Sequence, residues 1–286
     1  MAAATTTTAE GGRMTLAAHL RELRQRVLRG ALAIVLATVL SWFFYEQLLD
    51  LLVEPYRNAV DNLSSRELDE KLIQNTIAGP FILQLKIAGL SGLVLSSPVW
   101  LYQVWAFIMP GLHRNERRWT VIFSAVAGPL FLAGVALGYF VLPKGISMLL
   151  SFTAEGIGNY IEVSAYLSFT LRMLIAFGIA FEIPLFVILL NLAGVVSARQ
   201  LANARRWLIL LAFVFAAVAT PSADPFSMLA LAIPMAVLFM VSEAIAHLVD
   251  RRRARRFAGI TDDQASVLEL EDTPDDDRPS SLMDPD

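Results

Sequence analysis

The chain has 286 residues, of which 56% are hydrophobic and only 17% charged, and its formal net charge is −3. A water-soluble domain of this length carries fewer apolar and more charged side chains, so the natural solvent here is lipid. No cysteine is present, which excludes disulfides, thiolate metal sites and cysteine nucleophiles.

The charge is unevenly spread. Ten acids follow Thr261 against Arg278 alone, so the rest of the chain is net basic. A basic body suits loops that face anionic lipid, and nucleic acid is not an expected partner. Residues 1–14 are rich in Ala, Thr and Gly without an apolar stretch, which reads as a disordered tail and not as a cleavable signal peptide. A membrane domain over 15–248 and a basic, then acidic, disordered tail over 249–286 complete the expected organisation.

Taken in order, Thr15 is expected to cap a first helix that begins His19-Leu-Arg-Glu22-Leu-Arg24-Gln-Arg26. Leu16, Leu20, Leu23 and Val27 form an apolar stripe at helical spacing, and Glu22 stands one turn from Arg26. By itself that pattern is an interfacial anchor. A bilayer core about 30 Å thick needs about 20 apolar helical residues. Val27–Tyr45, Leu85–Met109, Trp119–Leu142, Tyr166–Leu192 and Phe226–Leu248 meet or approach this length. Trp207–Thr220 reaches only about 20 Å.

Arginines cluster before the first span, after the second, after the fourth and after the last, while acids dominate Glu46–Lys71. The positive-inside rule then places both termini in the cytoplasm and requires an even number of spans. Six spans follow, with Trp207–Thr220 counted as a short fifth. Pro98, Pro129, Pro184 and Pro234 each remove a backbone donor and bend a span. Both ordinary kinking and a shaped concave surface fit that pattern. Gly134 and Gly138 read as helix packing.

Pro110-Gly111 ends the second span, and Glu116 follows among Arg114, Arg117 and Arg118. Glu22 and Glu116 are isolated acids among arginines. They are either topology partners of their neighbours or acceptors for two incoming guanidinium groups, which bind carboxylates in a bidentate fork. Glu182 lies midway through the fourth span, where an acid must be protonated, paired or directed at a polar cavity. Lys86 and Arg172 are expected to snorkel, and Asp224 to cap the last span. Three scattered histidines make a metal site unexpected, and no nucleotide-binding or hydrolase motif is present.

Together these segments resemble the TatC family. The matching pieces are His19–Arg26, Ser97-Pro98 through Phe107, Pro110–Arg118, Tyr166-Leu-Ser-Phe, Phe177-Gly-Ile-Ala-Phe-Glu182-Ile-Pro184, Thr220-Pro221 and Leu231-Ala-Ile-Pro234. The resemblance runs from Met14 to about Leu248. It implies an all-α, glove-like membrane protein of six helices, the fifth and sixth short. It further implies a receptor in the cytoplasmic membrane for twin-arginine signal peptides of folded cargo. Such a receptor self-associates, assembles with TatA- and TatB-type single-span proteins, and exports under the proton-motive force without a cofactor or catalysis. By position, Glu22 and Glu116 would hold the arginine pair, with Arg24, Phe107 and Arg117 shaping the surface. Glu182 would lie on the concave membrane face and Pro55 in the first periplasmic loop. Met228 and Met240 are apolar where some relatives have polar residues near the partner-helix site, and Glu243 is a replacement acid one turn beyond Met240. The contrasting reading is a proton-coupled transporter of a small solute using Glu182. It would normally show paired repeats, and none is evident here.

Overall fold

The computed structural model describes residues 16–61, 71–108, 116–154, 160–221 and 224–257, and for 16–18, 71, 116–120, 253, 256 and 257 the backbone alone. Thr15, both predicted disordered stretches before it and after Phe257, and the Pro110 turn lie outside these. The elements run α1 (Leu16–Phe43), α2 (Tyr45–Asp61), β1 (Lys71–Ile73), α3 (Gly79–Leu95), α4 (Ser97–Ile108) and α5 (Glu116–Leu150). β2 (Tyr160–Glu162), α6 (Val163–Leu192), α7 (Ala198–Ala219) and α8 (Pro225–Phe257) complete them. Among the described residues five helices are long and apolar enough to span a bilayer, and the pair α3–α4, bent by 57°, makes a sixth when counted as one broken span. The predicted six-span, all-α membrane architecture is therefore present.

The bundle is an open row. α1 packs on α3 and α4, α5 on α4 and α6, α6 on α8, and α7 on α8. α1 and α7 stand at the edges and expose apolar side chains such as Leu32, Leu36, Leu211 and Val214, as lipid-facing helices do.

Sequence and structure differ at several boundaries. The segment Glu46–Lys71, read as a loop, begins with helix α2. Its one face buries Leu52, Val53, Tyr56 and Ala59, while Asp50 and Arg57 pair on the exposed side. The arginines Arg199, Arg205 and Arg206 sit on α7, not in a loop; only the second half of this helix, from Trp207, is the apolar stretch. Residues 249–257 continue α8 instead of opening a disordered tail. Asp250 shows why: its carboxylate accepts from the N–H of Ala198 (2.7 Å) and from Asn191 Nδ2 (3.2 Å), tying α8 to the α6–α7 turn. That turn is closed by Gly194 at φ 77°, a left-handed conformation suited to glycine, and by a Ser197–Gln200 capping box.

Prolines act through the carbonyls they release. Pro55 is buried inside α2 and cannot donate to the carbonyl of Leu51. The Tyr139 hydroxyl donates to that carbonyl instead (2.9 Å), and the buried Tyr166 hydroxyl donates to Leu52 (2.7 Å). At the α3–α4 break the Ser96 hydroxyl and the Trp100 indole donate to the carbonyls of Gly92 (2.6 Å) and Leu93 (3.0 Å). The bend thus leaves its carbonyls satisfied. Tyr166→Phe is expected to cost about 1 kcal/mol, as for a typical buried hydrogen bond, and Tyr139→Phe less because its bond is exposed. Thermal unfolding in detergent should show the larger drop for Tyr166→Phe.

Small residues set the helix spacing. A Cβ on Gly134 would stand 2.5 Å from the carbonyl oxygen of Phe177, and one on Gly138 3.1 Å from the Phe177 side chain. The GxxxG pair thus packs α5 on α6. Gly92 meets the backbone of Thr38 in the same way, seating α1 on α3. At the end where α3 and α6 begin, β1 and β2 form a parallel pair with Lys71 opposite Tyr160 and Ile73 opposite Glu162. It joins two connections far apart in sequence.

Candidate signal-peptide site and intramembrane acid

At the end of the bundle where α1 begins, the charged turn of α1 lies beside the end of α4. Arg26 donates through Nε (2.9 Å) and Nη2 to the same oxygen of Glu22, Oε1. Glu22 Oε2 has no hydrogen-bond partner among the described residues. The His19 ring stacks on Phe107 of α4, with centroids 4.5 Å apart and planes inclined by 20°. This contact fixes the first turn of α1 against α4. Arg24 is exposed on the outer side.

Beneath Glu22 and between the two helices lies a cavity of about 510 Å³. Leu23, Arg26 and Val27 line it from α1, and Trp100, Gln103 and Phe107 from α4. Its walls are apolar apart from Arg26 and the Gln103 amide, whose buried oxygen finds no donor. A carboxylate oxygen without a partner among the described residues, followed along α1 by an apolar hollow that begins at Leu23, suits a segment with a cation followed by apolar side chains. Glu116 and Arg117 are the first residues of α5, where the structure describes the backbone alone. Their share of the expected site lies outside the described side chains.

Glu182 lies on α6, half-buried in the membrane-spanning part of the bundle. Both its carboxyl oxygens are buried and without a hydrogen bond. The indole N–H of Trp105 faces it from α4, short of hydrogen-bond geometry, and is itself unsatisfied. Such atoms are rare in a settled core, where buried polar groups find partners. One residue beyond the kinking Pro184, the chain is packed with Phe131, Leu185 and Leu189. Ser242 of α8 donates to the Pro184 carbonyl (3.0 Å) and holds α8 against the kink.

The other acids are committed. Glu243 is buried and takes both Nε (2.9 Å) and Nη2 (2.6 Å) of Arg205 in a bidentate pair. It is therefore bound within the α7–α8 hairpin and not open as a replacement docking acid. Sequence reading missed this pair by assigning Arg205 to a loop. The available signal was symmetry, since Arg205 and Glu243 are equidistant in sequence from Asp224 at the hairpin turn. Asp224 itself is buried, and its Oδ1 accepts from the N–H of Ser227 (2.7 Å) at the start of α8. Pro55 is buried in α2 and not in a loop. The site residues therefore fall in separate regions: Glu22, Arg24 and Phe107 at one end, and Glu182 within the membrane part.

A bundle of up to six apolar spans with charged side chains at one end and an unsatisfied acid in its interior defines a polytopic membrane protein. The sequence profile of the family described as "Sec-independent protein translocase protein (TatC)" matches residues 18–234. Similar proteins bear the same description. One from Frankia casuarinae is 44% identical over 94% of this chain and 77% of its own length. Another from Xylanimonas cellulosilytica is 40% identical over 86% of this chain and 88% of its own. A crystal structure described as the twin arginine translocase receptor TatC is 33% identical and superposes with a TM-score of 0.66, covering 80% of this chain and 98% of that one. The chain belongs to the TatC family.

Proposed function

We propose that this protein is the receptor subunit of a twin-arginine export system, with the α1–α4 end as its signal-peptide site. The observation that carries this reading is the Glu22 Oε2 without a partner among the described residues, on the helix turn where the apolar cavity begins at Leu23. One guanidinium of the peptide binds Glu22 and the second binds Glu116, with Arg24 and Arg117 limiting approach to that register. The apolar side chains that follow enter between Leu23, Val27, Trp100 and Phe107. Arg26 already holds Oε1, which keeps the carboxylate aimed before the peptide arrives. Glu182 receives a polar group on the membrane helix of a TatA- or TatB-type partner. Copies of the chain self-associate, and the proton-motive force drives export of folded cargo across the cytoplasmic membrane. The arginine-rich loops set both termini in the cytoplasm.

Photo-reactive residues at positions 22 and 107 test site and orientation together. A twin-arginine peptide added to inside-out membrane vesicles is expected to crosslink from both positions, and a twin-lysine peptide is not. Added to right-side-out vesicles, the same peptide should crosslink from neither. Crosslinks in right-side-out vesicles would reverse the orientation, and none in either preparation would remove the site.

A further inference from the structure

We propose that Lys86, Ser164, Ser168 and Arg172 form a binding site for the phosphate of a membrane phospholipid, at the end of the bundle where α3 and α6 begin. Lys86 Nζ donates to Ser164 Oγ (2.9 Å) and to Ser168 Oγ (2.9 Å). Two neutral hydroxyls are an incomplete set for an ammonium, which has three donors and a full charge. Neither Lys86 nor Arg172 meets a carboxylate among the described residues. A half-buried lysine left this way, with an exposed arginine on the same helix stripe as its serines, calls for an anion from outside the chain.

The geometry selects the depth. Ser164, Ser168 and Arg172 follow at four-residue spacing, so they form one stripe on α6, and Lys86 reaches that stripe from α3. Side chains on a helix tilt toward its N-terminus, and α3 and α6 both begin at the β1–β2 end. Lys86 and Arg172 therefore extend in the same direction, toward that membrane surface. The lysine head stands level with the first turns of α6, one residue beyond β2, where the exposed Tyr160 marks an interfacial position.

The hydrogen bonds left over match a phosphate. Ser168 gives its own proton to the Ser164 carbonyl (2.6 Å), whereas among the described residues the Ser164 hydroxyl proton, the third Lys86 N–H and the Arg172 fork are uncommitted. These are donors for charge-assisted bonds to phosphate oxygens. Apolar side chains surround them: Ile82 and Leu85, one turn and one residue before Lys86, are 43% and 51% exposed. They offer a surface for acyl chains beneath the headgroup. A free phosphate would gain nothing from that surface, and basic pockets between membrane helices are known lipid-headgroup sites. A carboxylate on a partner's membrane helix is the other conceivable anion, but the two serines lie in the first turns of α6, at the helix end away from Glu182.

Native mass spectrometry of the full-length protein in detergent tests this. Dioleoylphosphatidylglycerol is expected to bind at least about ten-fold more tightly than dioleoylglycerol, which lacks the phosphate. Lys86→Gln with Arg172→Gln should abolish that preference, and Lys86→Arg, which keeps the cation, should retain it. If the double variant does not fold, Ser164→Ala with Ser168→Ala should still weaken the lipid severalfold, since it removes a donor and the seat of Lys86. Equal phosphatidylglycerol binding by wild type and these variants would overturn the proposal. So would displacement of the lipid by millimolar inorganic phosphate, or by a peptide bearing an acidic membrane helix in preference to the lipid.

Discussion

Glu22→Gln is expected to weaken binding of a twin-arginine peptide by about ten-fold or more. Glutamine keeps the shape and one acceptor oxygen but loses the charge, and a charge-assisted bond to a guanidinium contributes about 1.5–3 kcal/mol. A ten-fold change corresponds to about 1.4 kcal/mol. The fold should hardly notice, because the exchange removes only an i, i+4 ion pair with Arg26, of about 0.3–0.5 kcal/mol. Arg26→Gln separates the two roles of this pair. If Arg26 aims Glu22 for the peptide, its loss weakens binding. If Arg26 competes with the incoming arginines for the same carboxylate, binding strengthens. Fluorescence anisotropy of a labelled peptide on detergent-solubilised protein reads both. Full affinity in both Glu22→Gln and Glu116→Gln would reduce the two acids to partners of their neighbouring arginines.

Glu182 carries the second large effect, and it depends on chemistry more than on size. Glutamine keeps a hydrogen-bonding oxygen and adds donors, so Glu182→Gln should leave export nearly unchanged; intramembrane hydrogen bonds average well under 2 kcal/mol. Alanine removes the group that meets the partner helix and should loosen that association, with peptide binding at the α1–α4 end intact. Lysine should be the most damaging. A cation at this depth costs about 2.5–3.5 kcal/mol on insertion scales, or about a hundred-fold in association, and the Trp105 N–H facing it is another donor. Partner co-purification and export assays on the three variants measure this order. A proton-coupled carrier predicts the reverse for glutamine, which cannot release a proton. Loss of function in Glu182→Gln with partner assembly preserved would therefore replace the receptor reading.

The class of this protein was legible from hydropathy alone. Six apolar runs with arginines clustered at alternate ends are a one-dimensional property, because each span satisfies its own backbone within itself. Pro98 marked the α3–α4 break for the same local reason, and the motifs around Glu22 and Glu182 were visible as isolated charges. Boundaries were less legible. α2 was hidden because its stripe of Leu52, Tyr56 and Ala59 is too short and too interrupted by acids to stand out beside membrane-length runs. α7 and α8 extend past their apolar stretches, since a helix continues into water wherever capping and packing sustain it, as Ser197 and Asp250 do here.

Tertiary structure alone decided which charges are free. Arg205 and Glu182 look alike in sequence, as single charges beside apolar runs. Yet Arg205 is paired with Glu243 across the hairpin, while Glu182 faces only an unsatisfied indole. Lys86 finds two serines nearly eighty residues away, and the carbonyl freed by Pro55 finds the Tyr139 hydroxyl. Likewise the cavity between α1 and α4 is framed by side chains more than sixty residues apart, Leu23 and Val27 on one helix and Trp100 and Phe107 on the other. Composition and periodicity report how much of each side chain prefers lipid. Partnership between polar groups distant in the chain depends on helix crossings, and those are set by the close contacts of a few small residues.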